Sequence, residues 1–323
     1  MTTAERSHAQ GPDTLVPEAV ALEAAVPEIR GGLLVGYGCE RTRGGYLVID
    51  EMRKDSWTRR SFQVRGAHFS LRAESARYCT GRCDLKSGRS QPCPDRTALP
   101  DATFEQCSPC RRATGFNPAF YFATEISPQQ EQRNREPHLV YLAHFGGDTL
   151  KVGMTHARRG IDRLLEQGAR LGALLGRFAD AYRARALEEH VARALGAAET
   201  VRATRKRHLL GSPFSARLAR EQLEAMIARI RLLEPELALS PELVELDGYY
   251  GGAELFEHPY TDLSDAQPPF ISGRCLGMIG DVLVFAQGGR RFLLSVGALV
   301  AQQVQLSAEE QPNRVVGQQT LPF

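Results

Sequence analysis

The sequence predicts an α+β protein, and three observations support this class. β-Branched and aromatic residues alternate between glycine-rich breaks in the first and last parts of the chain, which is typical of antiparallel strands. The middle of the chain has a short hairpin pattern followed by apolar residues at helical spacing. A cysteine-rich stretch without either periodicity precedes this middle part. We therefore expect a small mixed α/β domain flanked by a loop-like cysteine module and by N- and C-terminal antiparallel β segments.

Composition changes along the 323 residues divide the chain into successive segments. In order, these are a flexible leader rich in Ala, Glu and Pro (1–28), an N-terminal β segment (29–76), a cysteine module (77–124), a mixed α/β domain (138–210), a helical connector (211–250) and a C-terminal β module (251–323). The intervening residues 125–137 are polar and end in proline, which predicts a linker or long loop. Whether the two β segments share one sheet is left open by the sequence.

The α/β domain begins with a predicted hairpin. Residues 138–155 read HLVYLAHFGGDTLKVGMT, in which two strand-like runs flank a Gly-Gly-Asp turn. Apolar residues at helical spacing follow in IDRLLEQG, and GALLGRFADAY predicts a strand before the helical stretch RARALEEHVARALG. The clearest helix of the chain is SPFSARLAREQLEAMIARIRLL, where Ser212-Pro213 suits a helix cap followed by a first-turn proline.

Composition also limits the cellular setting. Hydrophobic residues make up 42% and charged residues 24% of the chain, as in soluble proteins with hydrophobic cores. No apolar run approaches the length that a bilayer span needs. The N-terminal MTTAERSHAQGPD lacks the basic-then-apolar order of a secretory signal, and seven cysteines without such a signal argue against a disulfide framework. These features predict a cytoplasmic protein without a membrane partner.

Positive charge is concentrated in one part of the chain. The formal net charge is only +2, but residues 151–220 contain 15 Lys and Arg against 6 Asp and Glu. Within this part, residues 202–208 read RATRKRH. Such a basic segment can neutralise the phosphates of a nucleic-acid backbone. Solvated arginines on helix surfaces give a similar count, so both interpretations stay open.

Five of the seven cysteines lie close together in the cysteine module. Cys107-Ser-Pro-Cys110 has the spacing that lets one tight turn present two thiolates to a tetrahedral zinc ion. Two more thiolates must come from upstream, and we choose Cys79, which Thr-Gly follows, and Cys93, which lies between two prolines. Cys83 is the substitute candidate. Four thiolates would fill the coordination sphere, so we expect a structural zinc; unliganded, reduced loop cysteines are the alternative.

The hairpin and the helices after it resemble the GIY-YIG nuclease domain over residues 138–210. Val140-Tyr141 matches the end of the first family triplet, and Lys151-Val152-Gly153 occupies the position of the second. The family's helix arginine matches Arg163, and its metal-binding glutamate matches Glu188. Lysine replaces the second family tyrosine, and this Lys-x-Gly-x-Thr variant resembles the branch typified by phage-type GIY-YIG domains.

This resemblance implies a catalytic site. Tyr141 would orient or deprotonate a water molecule, Glu188 would hold one Mg²⁺ or Mn²⁺, and Arg163 would stabilise charge on the phosphoryl oxygens. The substrate-binding residues would be Lys151, Gly153, Thr155 and His156. Helical spacing independently places Glu188 at the flank of its apolar face and Arg163 away from its core stripe, where it would be free to meet a phosphate.

Two functions follow from these expectations. The first is a divalent-metal-dependent phosphodiesterase, an endonuclease, that acts on DNA or RNA. The second is a non-catalytic module on the same fold that binds nucleic acid or a protein, which the lysine at the second tyrosine position favours. The whole chain also resembles a bacterial family known as domain of unknown function 2797, a resemblance that supports the order of the segments and implies no activity.

Overall fold

The computed structural model describes residues 22–23, 26–53, 56–100, 104–257, 259–266 and 268–313. These residues combine helices with mainly antiparallel sheets, which confirms the predicted α+β class. Most of the expected leader, residues 1–21, and residues 314–323 lie outside the described ranges. Among the helices of the described part, none is both long and apolar enough to cross a bilayer.

The N-terminal part of the chain forms five strands. They are β1 (Leu22–Glu23), β2 (Ile29–Glu40), β3 (Gly44–Arg53), β4 (Ser56–Gln63) and β5 (His68–Arg77). β2, β3 and β4 are successive antiparallel neighbours, and β1 lies parallel to β4. Leu34, Ile49 and Phe62 on these strands are fully buried, as expected for apolar and aromatic residues on the packed face of a sheet.

The cysteine module and the segment after it contain short elements. They are β6 (Arg82–Cys83), β7 (Ser90–Gln91), α1 (Ser108–Thr114) and α2 (Pro128–Asn134). α2 lies where the sequence predicted a linker. The Ser127 hydroxyl accepts a hydrogen bond from the Gln130 N–H, and Pro128 occupies the first turn. The buried residues of α2 are Gln130 and Asn134, so the helix has no apolar stripe that its sequence could reveal.

The middle part of the chain forms a four-stranded sheet with helices. Its elements are β8 (His138–Gly146), β9 (Thr149–His156), α3 (Asp162–Gln167), β10 (Leu171–Phe178), α4 (Ala181–Leu195), α5 (Ala203–Leu210), α6 (Ala216–Leu233), β11 (Glu242–Glu245) and α7 (Asp247–Tyr250). The strand order is β11-β10-β8-β9, and β8 and β9 form the predicted hairpin with Tyr141 opposite Gly153. The cap of α6 is Ser215, not Ser212, because its side chain accepts the Leu218 N–H.

The C-terminal part completes the sheet that the N-terminal part begins. Its strands are β12 (Tyr260–Asp262), β13 (Phe270–Ile279), β14 (Val282–Gln287), β15 (Arg290–Ser295) and β16 (Gln302–Ser307). β16 lies between β2 and β5, and β5 also pairs with β13. The resulting ten-stranded order is β1-β4-β3-β2-β16-β5-β13-β14-β15-β12. The two β segments therefore share one sheet, which answers the question that the sequence left open.

The four-stranded sheet is covered on both faces. Val140 and Leu142 of β8 belong to a core with Leu187 and Val191 of α4 and with the apolar residues of α6. Tyr141, Ala143 and Phe145 alternate with them and belong to the core that includes α3 and the ten-stranded sheet. Because successive strand residues point to opposite faces, Tyr141 and α4 lie on opposite sides of this sheet.

Two glycines allow the larger and smaller sheets to approach closely. Gly168 ends α3 with a φ of 77°, and Gly280 sits in the β13–β14 turn with a φ of 61°. A Cβ on Gly280 would lie 2.8 Å from the backbone nitrogen of Gly168 and 3.0 Å from its Cα. Beside this contact, the Arg170 guanidinium donates to Asp247 and stacks on the rings of Phe214 and Phe256, at 4.0 and 4.1 Å.

We expect Gly280→Ala to lower the free energy of unfolding more than Gly288→Ala. Gly288 has a φ of 55° and no atom within 4 Å of the added methyl, so its substitution reports backbone strain alone, about 1–2 kcal/mol. At Gly280 the clash with Gly168 adds a further ~1–3 kcal/mol. Urea unfolding of the wild type and both variants measures the difference. Equal losses in the two variants would show that the sheets separate without cost.

Candidate functional site

Four cysteines of the cysteine module form a buried cluster. Their sulfur atoms all lie within 4.8 Å of one another, and the members are Cys79, Cys93, Cys107 and Cys110. A tetrahedral zinc ion with Zn–S bonds of about 2.3 Å places its sulfur ligands about 3.8 Å apart. The cluster is thus close to the geometry that a single metal ion requires, and it could bind one. These are the four ligands chosen from the sequence.

Local backbone structure explains why these cysteines converge. The Cys79 sulfur accepts hydrogen bonds from the backbone N–H groups of Gly81, at 3.4 Å, and Cys107, at 3.1 Å. Gly81 has a φ of 95°, and a Cβ there would overlap the Gln91 carbonyl, so only glycine fits. Cys107 precedes α1 and Cys110 lies in its first turn, which Pro109 initiates.

The thiols of the cluster differ in pKa. Burial raises the pKa of Cys79 to about 11, so an isolated thiol there would stay protonated at neutral pH. Burial acts in the same direction on Cys93, but hydrogen bonds from the Thr97 and Asp95 backbone outweigh it and lower the pKa to about 7. A divalent cation would stabilise all four groups as thiolates, which are the metal-binding form.

Cys83 lies apart from the cluster. Its sulfur contacts the Asp84 carbonyl oxygen at 3.7 Å, and its side chain is half-buried. Burial raises the pKa of this thiol to about 11. Cys83 lies in the same module as the four clustered cysteines but does not belong to the cluster. It is therefore a matched control for substitutions of the four.

An ion-pair network fixes the cysteine module to the ten-stranded sheet. The buried Asp50 on β3 accepts from Arg59 Nε at 2.8 Å and from Arg59 Nη2 at 2.9 Å. Arg59 also donates to the Thr80 carbonyl at 2.6 Å, next to Cys79. From the loop after Cys93, Arg96 lies 3.5 Å from Asp50 and stacks on Trp57 at 3.6 Å. The module is therefore held in a fixed position beside β3 and β4.

Tyr141 is packed inside the structure. Only 1% of its surface is exposed, and a Cβ at Gly153 would overlap its hydroxyl. Glycine at position 153 is thus required for the tyrosine ring to lie across the hairpin, so the two residues form one packing unit. This arrangement gives the Val-Tyr and Lys-Val-Gly patterns a structural basis in the register of β8 and β9.

Glu188 lies in a buried electrostatic cluster. It is 7% exposed and accepts a hydrogen bond at 2.8 Å from Arg185, which also donates to Glu199 at 2.5 Å. Burial raises the pKa of Glu188, while Arg185 and the buried Lys151 lower it. Arg185 and Glu199 were missed from the sequence, although the spacing of three residues between Arg185 and Glu188 is a recognisable helix pair.

Arg163 is not the free surface arginine that helical spacing predicted. Its side chain is 13% exposed and lies 3.6 Å from Glu166, which Arg159 also contacts. The reason is that α3 packs against β2 of the larger sheet, where Asp162 accepts the Arg41 N–H at 3.0 Å. The sequence of one helix cannot show which distant element will cover its polar side.

Thr155 and His156 lie at the far end of β9 and are both buried. His156 Nδ1 accepts the Arg158 N–H at 3.2 Å, so Nε2 carries the proton that faces Glu136 at 2.8 Å. Burial lowers the pKa of His156, with Glu136 acting in the opposite direction. Within the described residues, the Thr155 hydroxyl has no hydrogen-bond partner. The His156 ring therefore forms an internal hydrogen bond with Glu136.

The predicted site residues fall into distinct surroundings. Tyr141 packs with Gly153 on the face of the four-stranded sheet that α3 shares. Glu188 lies on α4, which covers the opposite face, and its electrostatic neighbour on the hairpin is Lys151. The structure thus packs Gly153 against Tyr141, and Lys151 lies within electrostatic range of Glu188.

The raised pKa of Glu188 predicts a pH-dependent contribution to stability. The folded chain holds this proton more tightly than the unfolded chain, so the wild type loses stability relative to Glu188→Gln as the pH rises from 4.5 through the raised value. Urea unfolding across this range measures the difference. Glu189→Gln, which changes the half-buried neighbour on α4 that pairs with Arg193, controls for loss of a carboxylate. If the free energy of unfolding of the wild type, relative to that of Glu188→Gln, stays constant or rises with pH, the raised pKa of Glu188 is contradicted.

Comparison with known proteins identifies the family but no characterised relative. The family model described as "Protein of unknown function (DUF2797)" matches residues 66–299, which is more than half of the chain. No curated protein and no solved structure matches the chain. The match includes the four cysteines, the hairpin and Glu188, together with β13 to β15. The chain belongs to the DUF2797 family.

Proposed function

We propose that the protein is a zinc protein in which Cys79, Cys93, Cys107 and Cys110 hold one structural Zn²⁺. The observation that carries this proposal is the convergence of four buried sulfur atoms within 4.8 Å of one another. Four thiolate ligands select zinc over hard cations such as Mg²⁺ and Ca²⁺. They also leave no open coordination position for a substrate, so the ion acts on folding and not on chemistry.

The surroundings of the cluster support a structural role. The local core of the module consists of the four cysteines, with Leu99 packed against them. Such a small apolar group cannot by itself compensate for the conformational entropy of ordering a long loop. A metal ion that closes the loop would supply the missing stabilisation, as it does in other small metal-dependent modules.

Substitution of the ligands tests the metal. We expect the purified wild type to carry a single zinc, and Cys79→Ser and Cys110→Ser to lose most of it. Elemental analysis gives the stoichiometry, and thermal unfolding with and without a chelator gives the change in Tm, which we expect to fall on zinc removal. Cys83→Ser should keep its zinc and its Tm. Full zinc content in the Cys79 and Cys110 variants, or loss in Cys83→Ser, would rule out this ligand set.

We further propose that the chain binds nucleic acid, DNA or RNA, through its GIY-YIG-like domain. The excess of Lys and Arg in residues 151–220 favours a polyanionic partner. Arg205 on α5 is exposed and lies 3.6 Å from the exposed Asp148, so a guanidinium group of this basic part lies at the protein surface. A protein partner remains the alternative on the same fold.

The surroundings of Glu188 and Tyr141 favour binding over cleavage. A Mg²⁺ or Mn²⁺ ion bound by Glu188 would have to replace the hydrogen bond from Arg185. Tyr141 would have to reach a water molecule from a position in which it is 1% exposed. A phosphodiesterase that uses Tyr141, Arg163 and Glu188 therefore requires these groups to rearrange, whereas binding through exposed arginines does not.

A paired assay separates binding from cleavage. We expect the wild type to retain DNA or RNA with an affinity that falls steeply as salt rises, and to leave mixed DNA and RNA uncut with Mg²⁺ or Mn²⁺. Cleavage that disappears in Glu188→Ala but persists in Glu189→Ala would establish the nuclease and identify its metal ligand. Absence of any salt-dependent retention would exclude both nucleic-acid functions.

A further inference from the structure

A row of aromatic rings at the surface joins the end of the cysteine module to α4. Phe122, Tyr121, Phe120 and Tyr182 follow one another with ring centroids 4.4, 5.3 and 5.4 Å apart. The rings at the two ends are the most accessible, with Phe122 76% exposed and Tyr182 40% exposed. A contiguous group of aromatic rings that reaches the surface in this way is a candidate binding site, whereas a single exposed ring would not be.

Hydrogen bonds to α2 anchor the loop that carries these rings. The buried Gln130 on α2 accepts the Asn117 N–H at 2.8 Å and donates to the Asn117 carbonyl at 2.7 Å. The Asn117 side chain in turn accepts the Ala119 N–H at 3.0 Å, which closes the turn before Phe120. The aromatic residues are thus presented by an anchored turn, so little ordering entropy is lost when a ligand binds.

The rings support one another at their edges. Phe120 meets both Tyr121 and Tyr182 edge-to-face, at interplanar angles of 90° and 77°. This arrangement is favourable for aromatic pairs. The Phe122 ring is tilted by 58° from Tyr121 and ends the row. A flat ligand can therefore lie on the Phe122 face without displacing another ring.

Arginines surround the aromatic row, and the nearby carboxylates are paired. The Arg185 guanidinium lies over Tyr121 at 4.4 Å and bridges Glu188 and Glu199. Arg183 and Arg135, whose side chains are both 74% exposed, pair with Asp180 and Glu131. The Tyr182 hydroxyl donates to Glu131 at 2.9 Å. The local charge is thus close to balanced. Exposed ion pairs such as those of Arg183 and Arg135 are weak, so a phosphate can replace the carboxylate partner of either guanidinium group.

We propose that this surface stacks the bases of single-stranded nucleic acid, with Phe122 as the principal stacking ring. Aromatic rings beside cationic groups are the combination with which proteins bind unpaired nucleotides, because every base has a π-face. Base faces inside a duplex are already stacked and out of reach of a side chain, so the ligand is a single strand or an unpaired loop. The inference rests on the proposed nucleic-acid binding and specifies the form of nucleic acid that the chain prefers.

The contact between Tyr121 and Arg185 links this surface to the GIY-YIG-like domain. Arg185 is the hydrogen-bond donor to Glu188, and Lys151 of the hairpin lies within electrostatic range of that carboxylate. A strand whose base lies on Phe122 would therefore have its neighbouring nucleotides beside α4 and the hairpin. The cysteine module and the α/β domain would then form one binding surface, to which each contributes different chemistry.

The test compares the zinc-loaded full chain with Phe122→Ala by fluorescence anisotropy, using a labelled oligothymidylate of about 12 nucleotides and a duplex of the same length. We expect the substitution to weaken single-strand binding about 5- to 100-fold and to leave duplex binding unchanged. Leu232→Ala is the matched control, because Leu232 is 83% exposed on α6 and lies outside the aromatic row.

A second variant reports contact directly. The chain has a single tryptophan, Trp57, so Phe122→Trp adds one indole whose fluorescence can be separated by subtracting the wild-type signal. We expect this variant to bind the single strand as tightly as the wild type and to be quenched by it. A bound strand that leaves the added indole unquenched would overturn the inference even if affinity changed for another reason.

The remaining outcomes distinguish the inference from the function on which it rests. If the wild type binds nucleic acid and Phe122→Ala binds the single strand equally well, the stacking site is wrong and the proposed binding function stands. If the wild type binds neither form, both are wrong. If Phe122→Ala changes only the oligomeric state of the protein in solution, the rings form a contact between copies of the chain. This outcome also overturns the stacking site.

Discussion

The pairing of β16 with both β2 and β5 is the constraint on which the rest of the structure depends. It joins the last described strand to strands from the first quarter of the chain, so the chain between β5 and β12 must leave this sheet and return to it. The cysteine module leaves at the end of β5 and is fixed beside β3 through Asp50. The part of the chain that forms the four-stranded sheet contacts the ten-stranded sheet at Gly168 and Gly280, where the two backbones pack directly against each other. Both candidate binding regions are thus positioned by a sheet to which they contribute no strand.

Local patterns were sufficient for part of this arrangement. The hairpin, the long helix α6 and the four-cysteine set were all predicted, because each depends on residues near one another in sequence. The shared sheet was not predictable, since strand pairing between distant segments leaves no periodicity in either. α2 was missed because its buried face is made of Gln130 and Asn134. Arg163 was misplaced because its surroundings come from β2, far away in the chain.

Glu188 shows how a resemblance in sequence and the physical surroundings of a residue can suggest different roles. In the resemblance it is a metal ligand; in the structure it is a buried carboxylate whose charge Arg185 balances. Removal of Arg185 would leave this buried carboxylate without its ion-pair partner, whereas removal of Glu188 would leave Arg185 paired with Glu199. The same arginine lies over Tyr121, so it links the carboxylate to the exposed aromatic row. Arg185, which no motif singled out, is the residue through which the two regions contact each other.

The order of the strands also has a consequence for synthesis on the ribosome. Cys79, Cys93, Cys107 and Cys110 emerge close together, so a cluster that could bind a metal ion can assemble while most of the chain is still unmade. β2 and β5 emerge earlier still, but their partner β16 is the last of the described strands to emerge, and until then both present unpaired edges to other chains. The nascent protein is thus most prone to aggregate after the four cysteines have emerged and before β16 is released. Protection by chaperones would matter most during this interval.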